Sequence, residues 1–346
     1  MTVKTWTPLG VAAVITVCGA GLTARNSGDG ARAATPAGGS VRSCGGFVPQ
    51  SGARAADQGM PVLQAYRYRM AGRVRPLLFW ISRDEVGSGR IVWRGNGSGD
   101  VAYELLIGTD PALAPRAVNR WGYIVEDARQ GATRVFGVIS TDDEVTLGEV
   151  RPGQPTEPGR GRFKGIDARI AAGTSCSTTG TVETERNLTL HDVGAIVSEV
   201  RGKLLYVAPK DMTIAPDIRP GFLTAVAEAV DATIAARRAG PPALRRMEGH
   251  VIPYVYGPLI HDLWLTDIDM VPIAPGGDRA MQPVYAMFEI RTRNTGERYR
   301  FELQFPTDGA LSGVPTVIKY QPRWWLQVEL FLDTSTVERP AASRPF

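Results

Sequence analysis

From residue 62 onward, hydrophobic and polar positions alternate in short runs separated by turn signals, the pattern of half-buried antiparallel strands. Val62, Gln64, Tyr66, Tyr68 and Met70 alternate with Leu63, Ala65, Arg67 and Arg69, and Ala71-Gly72 is expected to turn the chain. Residues 74–81 are apolar on both faces (Leu77, Leu78, Phe79, Trp80) and read as an inner strand. Residues 84–89 read as a loop, and 90–94, 101–107, 121–125 and 133–139 as further strands of a meander.

Residues 151–161 combine three prolines and three glycines, which predicts a linker or a long loop. Strand-like runs at 162–171 and 176–184 follow, and then the period changes from two to 3.6. Leu190, Val193, Ile196, Val197 and Val200 form one apolar face behind Thr189 and Asp192, whose spacing is that of a capping box. A second helix is predicted over 221–239. Pro220 starts it, Leu223, Val226, Val230 and Ile234 line one side, and Gly240-Pro241-Pro242 stop it. Strands then return. Val284, Ala286, Phe288 and Ile290 face Tyr299, Phe301, Leu303 and Phe305 across a turn at 294–297, a hairpin legible in sequence alone. Residues 314–320 and 324–332 extend it across a break at Gln321-Pro322.

These patterns predict an α+β fold dominated by antiparallel β-sheet, a meander or curved sheet, with two packed helices in the C-terminal half. The expected organisation is a secretory signal over 1–33, a flexible leader over 34–60 and an N-terminal β-rich domain over 61–150. The 151–161 linker or loop precedes a C-terminal α+β domain over 162–335, and 336–346 form a disordered tail.

The amino terminus sets the expected compartment. Lys4 precedes an apolar stretch from Leu9 to Leu22, and Ala31-Arg32-Ala33 offers an A-x-A cleavage site. The stretch is shorter than the roughly 20 residues of a bilayer span. Cys18 as a lipid anchor is disfavoured by Val17, because a small residue is expected before a lipidated cysteine. Cleavage removes Lys4, Arg25, Asp29 and Arg32, so the formal charge falls from +4 to +2. That near-neutral balance offers no electrostatic case for nucleic acid. Two cysteines remain, Cys44 and Cys176, and an oxidising compartment predicts a bridge between them.

Chemistry is sparse. No G-x-S-x-G, H-E-x-x-H, S-x-x-K or C-x-x-C occurs, and no cofactor is implied. The histidines are His191, His250 and His261. In a regular strand His261, Asp267 and Asp269 share one face, a candidate catalytic or metal-ligating set with His250 as a further candidate; solvated acids at a strand end are the structural alternative. Aromatic residues recur in or beside strands: Trp80, Trp93, Trp121, Trp264, Trp324 and Trp325. Trp121 and Arg120, with Arg116 nearby, and Trp325 are candidate ligand contacts. The reading favoured by the sequence is a periplasmic or secreted binding or scaffolding protein, not membrane-spanning once cleaved, with an aromatic-bearing β surface for a protein, glycan or lipid partner of the envelope. The rival is an exported metal-assisted hydrolase built on residues 250–269.

Overall fold

The computed structural model describes residues 44, 60–74, 81–96, 99–114, 119–140, 161–185, 188–272, 282–323 and 326–336. The expected signal, all of the expected leader except Cys44 and Met60, the expected linker up to residue 160, the expected tail beyond 336, and Trp80, Arg116, Trp324 and Trp325 lie outside them.

Alternation does build strands, and all of them join one antiparallel sheet. In chain order these are β1 (Val62–Val74), β2 (Ile81–Gly95), β3 (Val101–Thr109), β4 (Trp121–Arg129), β5 (Ala132–Ser140), β6 (Gly161–Ala171) and β7 (Thr174–Thr184). Helix α1 (Val193–Leu204), strand β8 (Lys210–Thr213), helix α2 (Phe222–Ala239) and the short α3 (Pro241–Arg245) follow. The chain closes with β9 (Val251–Tyr256), β10 (Leu259–Met270), β11 (Val284–Thr292), β12 (Arg298–Phe305), β13 (Val317–Arg323) and β14 (Leu326–Leu332). Strand order is β8-β7-β6-β5-β4-β3-β2-β1-β14-β13-β12-β11-β10-β9, so every neighbour is a chain neighbour except where β1 meets β14. The sheet therefore runs through both sequence-predicted domains, and β5 pairs directly with β6 across the Pro/Gly stretch.

Two expectations in the first hairpin change. Ala71-Gly72 does not turn the chain, and 84–89 is not a loop. β1 and β2 stay paired through both, because a bulge at Asp84–Val86 absorbs the extra residues opposite Ala71, with Glu85 at φ 57°. Polar and glycine residues can mark a bulge as well as a turn. The β11–β12 hairpin keeps its expected register, with Ala286 opposite Leu303 and Phe288 opposite Phe301.

The sheet curls until its ends meet. Tyr256 at the end of β9 lies over β5, where a Cβ on Gly137 would be 2.0 Å from the Tyr256 hydroxyl oxygen. Only glycine admits that approach. One face of the curled sheet is the inner one. It carries Tyr254, Leu263, Phe288, Phe301, Ile166 and Ile124, and α2 packs into it through Phe222, Ala225, Ala229, Val230 and Ile234. Small residues lie deepest on α2, while the larger Leu223 and Val226 are only partly buried. Phe222 meets Tyr254 and Phe301 at ring-centroid distances of 5.8 and 6.0 Å. On the outer face of β4–β6, α1 covers Phe136, Val138 and Phe163 with Ile196, Val200 and Leu204. The anticipated capping box is present: Thr189 and Asp192 exchange hydrogen bonds around the 3-10 turn that leads into α1. Arg201 of α1 pairs with buried Asp167 at 3.6 Å and stacks 4.3 Å from the centre of the Phe136 ring.

Cys44 is bonded to Cys176 of β7, with a Cα–Cα separation of 5.9 Å. The expected bridge thus ties the leader to the sheet. Among the described residues no helix is long and apolar enough to cross a membrane.

Candidate functional site

The residues singled out in the sequence do not converge. His261, Leu263 and Leu265 of β10 face inward, but a bulge between Leu265 and Asp267 resets the alternation. Ile268 takes the inward place, and Asp267 and Asp269 are exposed on the other side. The expected shared face required an unbroken period of two, and the bulge breaks it. His261 is 1% exposed, stacks on Tyr254 at 5.1 Å and shares a hydrogen bond of 3.0 Å between Nδ1 and the Thr292 hydroxyl. Burial pushes its imidazole down to about 4, so it is neutral at physiological pH. His250 is exposed at the start of β9. Among the described residues no group of three His, Cys, Asp or Glu side chains is arranged to hold a metal ion.

The ligand-contact candidates divide similarly. Trp121 is fully buried; its indole N–H donates to the Leu188 carbonyl at 3.2 Å, and its ring packs 5.4 Å from Phe163. Arg120 is buried beside it. Both belong to the interior under the segment leading to α1, and Trp325 lies outside the described residues.

A different set of side chains gathers on the inner face beside α2. Gln64, Trp93, Tyr103 and Glu126 are directly opposite one another on β1, β2, β3 and β4, which places all four on one face in one row. The Trp93 and Tyr103 rings meet edge-on, 6.1 Å apart at 90°. Both are partly exposed, unlike the Tyr66, Ile124 and Val135 side chains around them.

Glu126 is the floor of this row. Its Oε1 accepts from the Leu223 backbone N–H at 2.7 Å, and its Oε2 accepts from the Thr224 N–H and hydroxyl, each at 2.8 Å. It thereby caps α2 from another element, where the local cap residue, Gly221, has no side chain to offer. Gly221 adopts φ 137°, and a Cβ there would lie 2.3 Å from the Glu126 carboxylate. Burial pushes the Glu126 carboxyl up to about 7, and the amide and hydroxyl donors hold it from going higher.

Helix geometry puts a second carboxylate on the same stripe of α2 as Thr224. Thr224, Ala227 and Asp231 form one stripe of α2, and Thr224 already touches Glu126. Asp231 is exposed, yet burial raises its carboxyl above the usual range. Its negative charge and that of Glu126, after burial, push the Tyr103 hydroxyl up. The Gln64 Oε1 atom is buried without a hydrogen-bond partner. The row thus sets two partly exposed aromatic rings beside a buried carboxylate committed to α2 and a buried amide oxygen without a hydrogen-bond partner. Aromatic rings with converging polar groups are the kind of surface from which small-solute sites are built.

Sequence reasoning noted Trp93 as one of the strand aromatics but not the row around it. The signal was the cross-strand register, which needs every bulge placed first. No protein-family model, curated protein or solved structure matches this chain.

Proposed function

We propose that the chain is an exported, non-enzymatic binding protein of the cell envelope whose ligand site is the groove between Trp93, Tyr103 and α2. The observation that carries the reading is the Trp93–Tyr103 pair, left partly exposed on the inner face beside the Gln64 Oε1 atom, which has no hydrogen-bond partner. Aromatic faces with a few converging polar groups are the usual composition of a small-solute site. Export is supported by the Cys44–Cys176 bridge, which needs an oxidising compartment, and by the signal-like stretch before it. The hydrolase reading gains no such support, because His261 and the Asp267–Asp269 pair point to opposite sides of β10.

The experiment is ligand titration of the mature protein monitored by tryptophan fluorescence. The panel covers soluble glycans, organic cations and phospholipid vesicles. A saturable change that disappears in Trp93→Leu is the expected result. A change that persists in that variant would place binding elsewhere and discard the groove. Cell fractionation with N-terminal sequencing tests export separately. The expectation is a processed form in the periplasm or medium; an unprocessed cytoplasmic chain overturns it.

A further inference from the structure

A second polar cluster lies on the outer face of the sheet, away from the groove. Asp262, Arg291 and Arg298 are directly opposite one another on β10, β11 and β12, and Trp264, Glu289 and Arg300 form the next row on the same face. The Glu289 side chain is 1% exposed, whereas those of Arg291, Arg298 and Arg300 are 34, 64 and 66% exposed. The acid is the floor of the cluster and the arginines are its rim. Arg291 donates its Nε–H to one Glu289 oxygen at 2.6 Å, and Arg300 donates its Nε–H to the other at 2.7 Å. The Nη groups of both are left without a hydrogen bond among the described residues. Arg298 Nη1 stands 3.8 Å from Glu289, beyond hydrogen-bond distance. Trp264 fixes Arg291 further, with its ring centre 4.1 Å from the Arg291 Cζ atom.

The charges in this cluster do not balance. Asp262, the other acid of the two rows, is taken by Arg293 through hydrogen bonds of 2.7, 3.0 and 3.1 Å. Three arginines against Glu289 leave 3 − 1 = +2. One row away, Asp267 lies opposite Met287 and Glu302 has Lys319 at 3.9 Å. The other buried acid on this side of the sheet, Glu329, has Arg73 and Lys319 beside it, and Lys319 is shared with Glu302, so that cluster closes at 2 − 2 = 0. A lone exposed arginine without an ion pair is ordinary, and Arg67 is one. Three held on one buried acid are not, least of all with Arg291 directly opposite Arg298, because like charges so placed repel.

We infer that Arg291, Arg298 and Arg300 form a binding site for a phosphate group, distinct from the groove on the inner face. A phosphate monoester carries about −1.5 to −2 charge near pH 7 and three acceptor oxygens. That charge matches the +2 surplus, and the oxygens match the uncommitted Nη–H donors of planar guanidiniums, which grip oxyanions side-on. Glu289 holds two of the three donors in place before the ligand arrives. A carboxylate brings less charge and two oxygens, so it satisfies fewer donors. The phosphate can belong to a soluble ester or to a lipid headgroup, since the cluster faces outward with nothing to recognise the rest of the molecule.

Methyl phosphate and acetate are titrated by calorimetry into the full mature chain at pH 8 and constant ionic strength, where the phosphate is fully charged. Co-sedimentation with phosphatidylcholine vesicles, with and without phosphatidate, forms the lipid arm. The expected result is saturable methyl phosphate binding about ten-fold tighter than acetate. Arg298→Ala, which removes no hydrogen bond from the fold, weakens it about ten-fold, and Arg67→Ala, an exposed arginine elsewhere on the outer face, leaves it unchanged. Arg298-dependent capture by phosphatidate vesicles alone assigns the same cluster to a membrane phosphate; capture of the free ester alone assigns it to a soluble one. The proposal is overturned if acetate binds as tightly as methyl phosphate, if Arg298→Ala changes nothing, or if Arg67→Ala costs as much as Arg298→Ala. Absence of binding by both the ester and the phosphatidate vesicles overturns it too. None of these outcomes bears on the groove, whose signal depends on Trp93.

Discussion

Two buried groups on the inner face titrate in opposite directions, and their cancellation can be undone one residue at a time. Glu126 is raised from 4.5 to about 7, so the folded state holds a proton that the unfolded chain releases between those values. The stability it contributes is full below pH 4.5 and is lost as pH rises through 7. His261 is lowered from 6.5 to about 4, so its contribution is present above pH 6.5 and is lost as pH falls through 4. At about 1.4 kcal/mol per pH unit of displacement, each group spans roughly 3 kcal/mol. The wild-type profile from these two groups is therefore nearly level between pH 4.5 and 6.5. Glu126→Gln removes one partner. The amide still accepts from Leu223, and the acceptor lost at Thr224 costs the same at every pH, so it does not change the slope. The variant should gain about 3 kcal/mol between pH 4 and 6.5, with His261 exposed as the remaining titrating group. His261→Gln should show the reverse, a fall of similar size between pH 4.5 and 7. Urea unfolding at half-unit intervals, with the disulfide intact, measures both. A wild-type-minus-Glu126→Gln difference that is flat from pH 4.5 to 7 would refute the account of Glu126 as a cap forced to choose between burial and charge.

The Cys44–Cys176 bridge closes a loop of 132 residues in sequence, and the chain-entropy relation assigns such a cross-link about 5 kcal/mol. Reduction, or Cys176→Ser, should lower the unfolding free energy by up to that amount; a midpoint unchanged by reductant would mean that the bridge does not constrain the unfolded chain. Gly137→Ala places a Cβ 2.0 Å from the Tyr256 hydroxyl oxygen and should cost about 1–3 kcal/mol, with partial recovery in the double variant carrying Tyr256→Phe. Equal melting temperatures for Gly137→Ala and wild type would show that β9 does not seat there.

How far the sequence reaches can be read at particular residues. The Phe288–Phe301 register was legible because the turn at 294–297 and strict alternation specify the same pairing. Thr189 and Asp192 were legible because a capping box is local, and Cys176 because the expected cleavage leaves it a single partner. Bulges defeated the same method. One residue out of phase at Leu265–Asp267 separated His261 from two aspartates that simple alternation joins to it. Strand β8 escaped because Lys210-Asp211-Met212-Thr213 is a short polar edge with no apolar face to show. Glu126 escaped for another reason: it caps a helix that starts about a hundred residues later, and no local pattern encodes that contact. Trp121 was read as a ligand contact from its loop position, but its indole serves the interior.

A curled sheet that does not close by a regular strand pair must still protect its edges. Here one short segment meets both. Residues 210–213 pair with β7 as β8, and Arg219 then donates its N–H to the Pro253 carbonyl at 2.8 Å while its own carbonyl accepts from Val255 at 2.9 Å. The segment thus spans the gap between the β8 and β9 edges. Cys176 sits opposite Asp211 in this seam, so the disulfide fastens the leader where the sheet is joined. Three residues beyond Arg219, α2 begins with its first turn capped by Glu126 of β4, so one stretch of chain carries both the sheet seam and the start of the helix that fills the inner face.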